Sequence, residues 1–159
     1  MALAGQALTA ANSLGGRFTL GIGLSHEPMM AQLGIAFDRP IRHLREYLNV
    51  LMPLLSDGEV DFSGELFCSS GRFFQPPEKP VEVLVAALGP QALAVAGRLA
   101  QGTTLAWVGP KTGNAHSVPT TSDAAAAAGA PAPRILATVP VGGPAAPPTV
   151  RRATGRGGW

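Results

Sequence analysis

Three glycine-marked junctions hold the residues whose spacing suggests chemistry. The first is Thr19-Leu20-Gly21-Ile22-Gly23, followed closely by Ser25, His26 and Glu27. The second is Ala86-Ala87-Leu88-Gly89-Pro90, running into Gln91. The third is Trp107-Val108-Gly109-Pro110, with Lys111 next. When an apolar strand ends at glycine and a helix starts at once, the helix's first N–H groups lack internal partners. They point outward, and the helix dipole favours negative charge there. Such junctions suit the phosphate of a cofactor, without naming a reaction. The plain alternative at each is a strand-to-helix turn. Gly21-Ile22-Gly23 opens a dinucleotide fingerprint but does not complete it, since His26 stands where the third glycine belongs. Lys111 can offset phosphate charge or be an ordinary solvated lysine.

No catalytic group declares itself, and the catalytic residues stay unknown. His26 is a weak candidate, placed after a strand end where α/β active sites gather. His43 and His116 are isolated, and no His, Cys, Asp or Glu set shows metal-ligand spacing. Neither a P-loop nor a G-x-S-x-G elbow is present. A chain without a nucleophile is what remains when a cofactor carries the redox chemistry. The single cysteine, Cys68, excludes an intrachain disulfide and reads as part of a half-buried strand.

The elements that must position these junctions follow from periodicity. Residues 2–13 form a helix stopped by Gly15-Gly16, and Arg17–Leu24 a strand whose near-continuous apolar run suits burial on both faces. Residues 25–37 are ambiguous, with one or two helical turns near Met29–Leu33. A helix starts at Asp38-Arg39-Pro40, with Asp38 as cap, and runs about 17 residues on the spacing of Ile41, Leu44, Leu48, Leu51 and Leu55. Pro53 should kink its last turn. Val60–Phe62 and Leu66–Cys68 make a hairpin around Ser63-Gly64, and 69–80 is a loop. Strands at 81–88, 103–108 and 134–141 alternate with helices at 91–101 and 118–128. That alternation implies parallel βαβ units. The class is therefore α/β, with residues 1–141 as one unit. Residues 142–159 carry five Gly, three Pro and three Arg without periodicity and are expected to be a disordered tail.

The chain's 159 residues suffice for one domain. Its formal charge of +2 comes from the tail. Residues 1–141 hold all ten acids and nine of the twelve Lys and Arg, a net −1. No basic stripe interleaved with aromatics exists, so nucleic acid is excluded as a partner. No apolar run approaches a membrane span, so no membrane association is expected. The amino terminus has no basic residue before Arg17, unlike a signal peptide, and a cytoplasmic location is expected.

Several of these segments resemble one family. Gly15-Gly16-Arg17-Phe18-Thr19-Leu20-Gly21-Ile22-Gly23 resembles the fourth-strand segment of the luciferase-like monooxygenases. Asp38-Arg39-Pro40 with Leu44–Leu48, Val83–Pro90 and Gly102–Pro110 resemble its deazaflavin-dependent oxidoreductase branch. The match covers about residues 3–141. The resemblance implies a partial (β/α)8 TIM barrel, about strands 4–7, truncated relative to the family. It implies hydride transfer between deazaflavin coenzyme F-420, or alternatively FMN, and a small organic substrate. The ring would lie near Gly21 and Gly23. The phosphate would meet the backbone at Ala87, Leu88, Gly89, Val108 and Gly109, after the fifth and sixth strands rather than the seventh and eighth. A partial barrel exposes sheet edges and an uncovered apolar interior, so either poor stability alone or association into a homo-oligomer is expected. The tail resembles a frameshifted end, and a non-catalytic flavin- or phosphate-binding remnant or an unstable, pseudogene-like product is the alternative.

Overall fold

The protein is described by a computed structural model covering residues 1–75, 77–106 and 108–138. Its main sheet has four strands: β1 (Thr19–Gly23), β4 (Glu82–Ala86), β5 (Gly102–Ala106) and β6 (Arg134–Thr138). Their order is β1-β4-β5-β6 and every pairing is parallel. The helices are α1 (Ala2–Ser13), α2 (Glu27–Gln32), α3 (Pro40–Ser56) and α4 (Pro90–Leu99). A continuous helical run then follows, made of α5 (Pro110–Thr112), a π-helical stretch (Gly113–Ser117) and α6 (Val118–Ala127). The parallel α/β alternation is as expected from sequence. Residues 139–159, which contain the end of the expected fourth strand and the whole tail at 142–159, lie outside the described residues, as does Trp107.

The core sits between one face of the sheet and the helices. Leu48, Leu54, Leu55, Val83, Val85 and Leu93 are essentially inaccessible. The α3 stripe works as its spacing implies, with Leu44, Leu48, Leu51 and Leu55 all buried. α4 meets α6 where Gly97 removes a side chain; a Cβ there would clash with the backbone at Thr121. Thr103 is buried without cost because its hydroxyl donates to the Val85 carbonyl at 2.7 Å.

Four expectations need correction. β1 is not covered on both faces: Thr19, Gly21 and Gly23 are exposed, while Leu20 and Ile22 pack towards the helices. Asp38 does not cap α3. Arg39 occupies the N-cap position in a left-handed conformation (φ 49°), and no side chain bonds the helix start. The 69–80 segment is not all loop, because β3 (Cys68–Arg72) pairs antiparallel with β2 (Glu59–Ser63). Cys68 is exposed at the start of β3 rather than half-buried.

This hairpin is fastened to α3 by charge. Glu46 is buried, and its Oε2 accepts the N–H groups of Leu66 at 2.7 Å and Phe67 at 3.1 Å. Gly64 leaves the room, since a Cβ there would strike the Glu46 carboxylate. Glu65 reaches back to both Arg39 and Arg42. The backbone N–H of Leu66 is the main reason the Glu46 carboxyl is held below its ordinary value; burial opposes the shift, and the Phe67 N–H adds to it.

Candidate functional site

The carboxyl ends of β1, β4 and β5 bring the three glycine junctions together at one end of the sheet. β1 and β4 are in register, Gly21 beside Leu84 and Gly23 beside Ala86. On the face away from the helices β1 carries no side chain at Gly21 or Gly23, and β4 carries Leu84 beside Gly21 and only a methyl group at Ala86. A Cβ on Gly21 would meet nothing within 4 Å, and one on Gly23 would lie 3.1 Å from the Ala86 Cβ. The result is a platform of small residues at the strand ends, running from Gly23 of β1 to exposed Ala86 of β4 and Ala106 of β5. A flat ring fits such a surface.

Next to the platform two helices begin in the same way. Gly89 is the N-cap of α4 with extended backbone (φ −79°, ψ 151°), and Pro90 takes the first helical position. Gly109 is the N-cap of the α5–α6 run (φ −77°, ψ 162°), again followed by Pro110. Neither start is capped by a side chain. The first internal bonds are Leu93 N–H to Gly89 and Gly113 N–H to Gly109. The donors without a partner among the described residues are the amides of Gly89, Gln91 and Ala92 on one helix, and of Gly109, Lys111 and Thr112 on the other. A Cβ at Gly89 would meet nothing within 4 Å, so an anion can approach the backbone.

Of the residues singled out by sequence, Gly21 and Gly23 stand on the platform. Gly89 and Gly109 head the two helices. Leu88 is 55% exposed beside Gly89, whereas the Ala87 side chain is turned into the core at 4% exposure. Val108 is partly buried against that core. His26 is the exposed N-cap residue of α2, its carbonyl taking the N–H groups of Met29 and Met30. Sequence reasoning passed over the Gln91, Ala92 and Thr112 amides. The signal was available: Gly-Pro at both 89–90 and 109–110 places the missing N–H at the first helical position and the free donors just after it.

The model of the luciferase-like monooxygenase family matches residues 1–145. The chain belongs to this family. It is 28% identical over 105 residues to a 5,10-methylenetetrahydromethanopterin reductase of Archaeoglobus fulgidus, covering 65% of this chain and 32% of the relative. It is 33% identical over 91 residues to an F420-dependent glucose-6-phosphate dehydrogenase of Kineococcus radiotolerans, covering 55% and 27%. Among solved structures, an F420-dependent secondary alcohol dehydrogenase in complex with an F420-acetone adduct superposes with a TM-score of 0.71 at 20% identity, over 85% of this chain and 43% of that one. The coenzyme F420-dependent tetrahydromethanopterin reductase of Methanopyrus kandleri gives 0.65 at 21% identity, over 84% and 46%. These likenesses establish the fold as part of the luciferase-like TIM barrel. The chain spans about a third of the length of the curated relatives it matches.

Proposed function

We propose that this chain is the cofactor-gripping part of an oxidoreductase that transfers hydride between deazaflavin coenzyme F-420 and a small organic substrate. The observation that carries the reading is the pair of uncapped Gly-Pro helix starts on adjacent parallel strands, beside a platform of small residues. The amides at 89–92 and 109–112 would hold the coenzyme's phosphate, and Lys111 would add charge. Gly21, Gly23 and Ala86 would support the ring, which supplies the hydride-accepting carbon when bound. The residues present fit both tasks: the glycines leave room, and the donors are unengaged by side chains. His26, exposed one turn beyond Gly23, is the side chain nearest in sequence to the platform that can move a proton. FMN is the alternative occupant, since the same platform and amides would accept a flavin. The names of two relatives, which are F420-dependent, favour the deazaflavin.

The sheet's outer strands, β1 and β6, would bring two copies together, because parallel edges unpaired among the described residues seek partners. Titration of the purified chain with F-420 and with FMN, followed by cofactor absorbance and fluorescence, tests the cofactor reading. Saturable binding of F-420 tighter than FMN is expected. Binding of neither overturns it and favours the unstable product; binding without turnover of reduced cofactor favours the non-catalytic remnant.

A further inference from the structure

A cavity lies at the carboxyl end of β1, reaching from Gly23 and Ser25 at the strand end to its helix-facing side. It encloses about 400 Å³, a volume suited to a small organic molecule. Ile22 and Leu24 form one wall, Leu3 of α1 another, and Leu44 with Tyr47 of α3 a third. Met30, Ile35 and Phe37 form the roof. The roof segment's backbone bonds, from His26 through Ile35, all close on the segment itself.

Four polar side chains line this apolar space: the Ser25 hydroxyl donates to the Met29 sulfur, while Asp38, His43 and Tyr47 have no hydrogen-bonding partner among the described residues. Each of the last three is released by a specific feature. The left-handed backbone at Arg39 takes the N-cap position from Asp38, so its carboxylate is left beside the cavity instead of on α3. Glu65 engages Arg39 and Arg42, the two cations next to Asp38 in α3's first turn. The His43 and Tyr47 rings lie nearly parallel with centroids 6.5 Å apart, and Phe67 meets both edge-on at 4.8 and 5.8 Å. The Phe67 position is set in turn by Glu46, which holds its N–H. The two polar rings are thus held in place with their hydrogen-bonding atoms unused.

We propose that this cavity is a ligand site for a small, neutral, apolar molecule bearing one hydroxyl group. The walls take the apolar body. The Asp38 carboxylate accepts the ligand's O–H, and the Tyr47 hydroxyl donates to the ligand's oxygen. A carboxylic acid is disfavoured by the Asp38 charge. An amine would gain only an exposed ion pair, because Asp38 is open to solvent. The site adjoins the coenzyme platform at Gly23, which lines both, and its assignment rests on its own lining residues.

Tyr47 is the only tyrosine in the chain, so it serves as its own reporter. Burial already pushes its hydroxyl above the ordinary value. The test is titration of the full chain with 2-phenylethanol, read by the phenolate absorbance of Tyr47 against pH and by saturation-transfer NMR of the ligand. Saturable binding is expected, with the Tyr47 titration moved to still higher pH. Tyr47→Phe should bind about three- to tenfold more weakly, the loss of one hydrogen bond. Ala36→Trp changes an exposed residue of the cavity rim and should abolish binding while circular dichroism stays unchanged. The proposal is overturned if no saturable binding occurs, or if Ala36→Trp binds as well as the parent. Equal or tighter binding of 2-phenylethylamine or 3-phenylpropanoate overturns the assignment of class.

Discussion

Single residues decide what each surface of this protein offers. Gly21 and Gly23 face the same open platform, but their neighbours differ. A valine at Gly21 would project into empty space, so Gly21→Val should fold as the parent does and lose F-420 binding by at least about tenfold, 1.4 kcal/mol. A valine at Gly23 would press on Ala86 and should lower the melting temperature as well. Comparing melting curves with cofactor titrations separates the two effects. Glu46 shows how one buried carboxylate ties an excursion to a helix. Its folded-state pKa is lowered, so the tether stabilises at pH above the unfolded value of 4.5 and is lost as pH falls through the lower folded value. Glu46→Gln should therefore remove part of the acid-side slope of stability against pH. It should also speed hydrogen exchange at the Leu66 and Phe67 amides at neutral pH, as read by NMR. An unchanged slope would contradict the tether.

At the scale of elements, α4 and α6 pack closely enough that a Cβ on Gly97 would strike the α6 backbone. The contact depends on Gly97 and on the small residues Ala124 and Ala125 facing it. Gly97→Leu should force the helices apart and cost roughly 1–3 kcal/mol, the usual penalty of overpacking, measured by chemical denaturation. The displacement would also disturb the proposed phosphate site, to which α4 and the α5–α6 run would each contribute amides. α3 holds two loads at once. Its apolar stripe seals the sheet, and its Arg39, Arg42 and Glu46 hold the β2–β3 hairpin. The stripe was legible in the sequence because a helix repeats its faces every 3.6 residues. The hairpin's true pairing was not. Ser69, Ser70 and Gly71 have no strand-like composition, and only the antiparallel register with Val60–Phe62 makes them β.

At the scale of the whole molecule, the sheet has helices on one side and an open carboxyl-end platform on the other. Parallel sheets are ordinarily covered on both faces. Leu136 on β6 is 39% exposed and Thr138 is exposed beyond it, alongside the bare face of β1. Self-association through the outer strands should appear as a concentration-dependent increase in mass by sedimentation or light scattering. Lysine at Leu20 and at Ile135, inside the outer strands, would disrupt packing, so Thr19→Lys and Leu136→Lys are the better probes. Both should shift the population towards monomer. A monomer at every concentration would contradict association.

Local patterns in the amino-acid order determined the α/β alternation, the helix registers and the Gly-Pro junctions, because periodicity and backbone restriction act within a few residues. Resemblance of those segments was enough to indicate the family. Only the tertiary structure decided which face of β1 is open, since Leu20 and Ile22 read the same whether a strand is covered on one side or two. It alone moved Asp38 from a helix cap to a cavity wall, a choice made by the backbone at Arg39. It alone brought residues more than 60 positions apart, Gly21 with Leu84 and Gly23 with Ala86, onto one platform. Pairing across that distance depends on how the whole chain packs, and no short stretch of sequence encodes it.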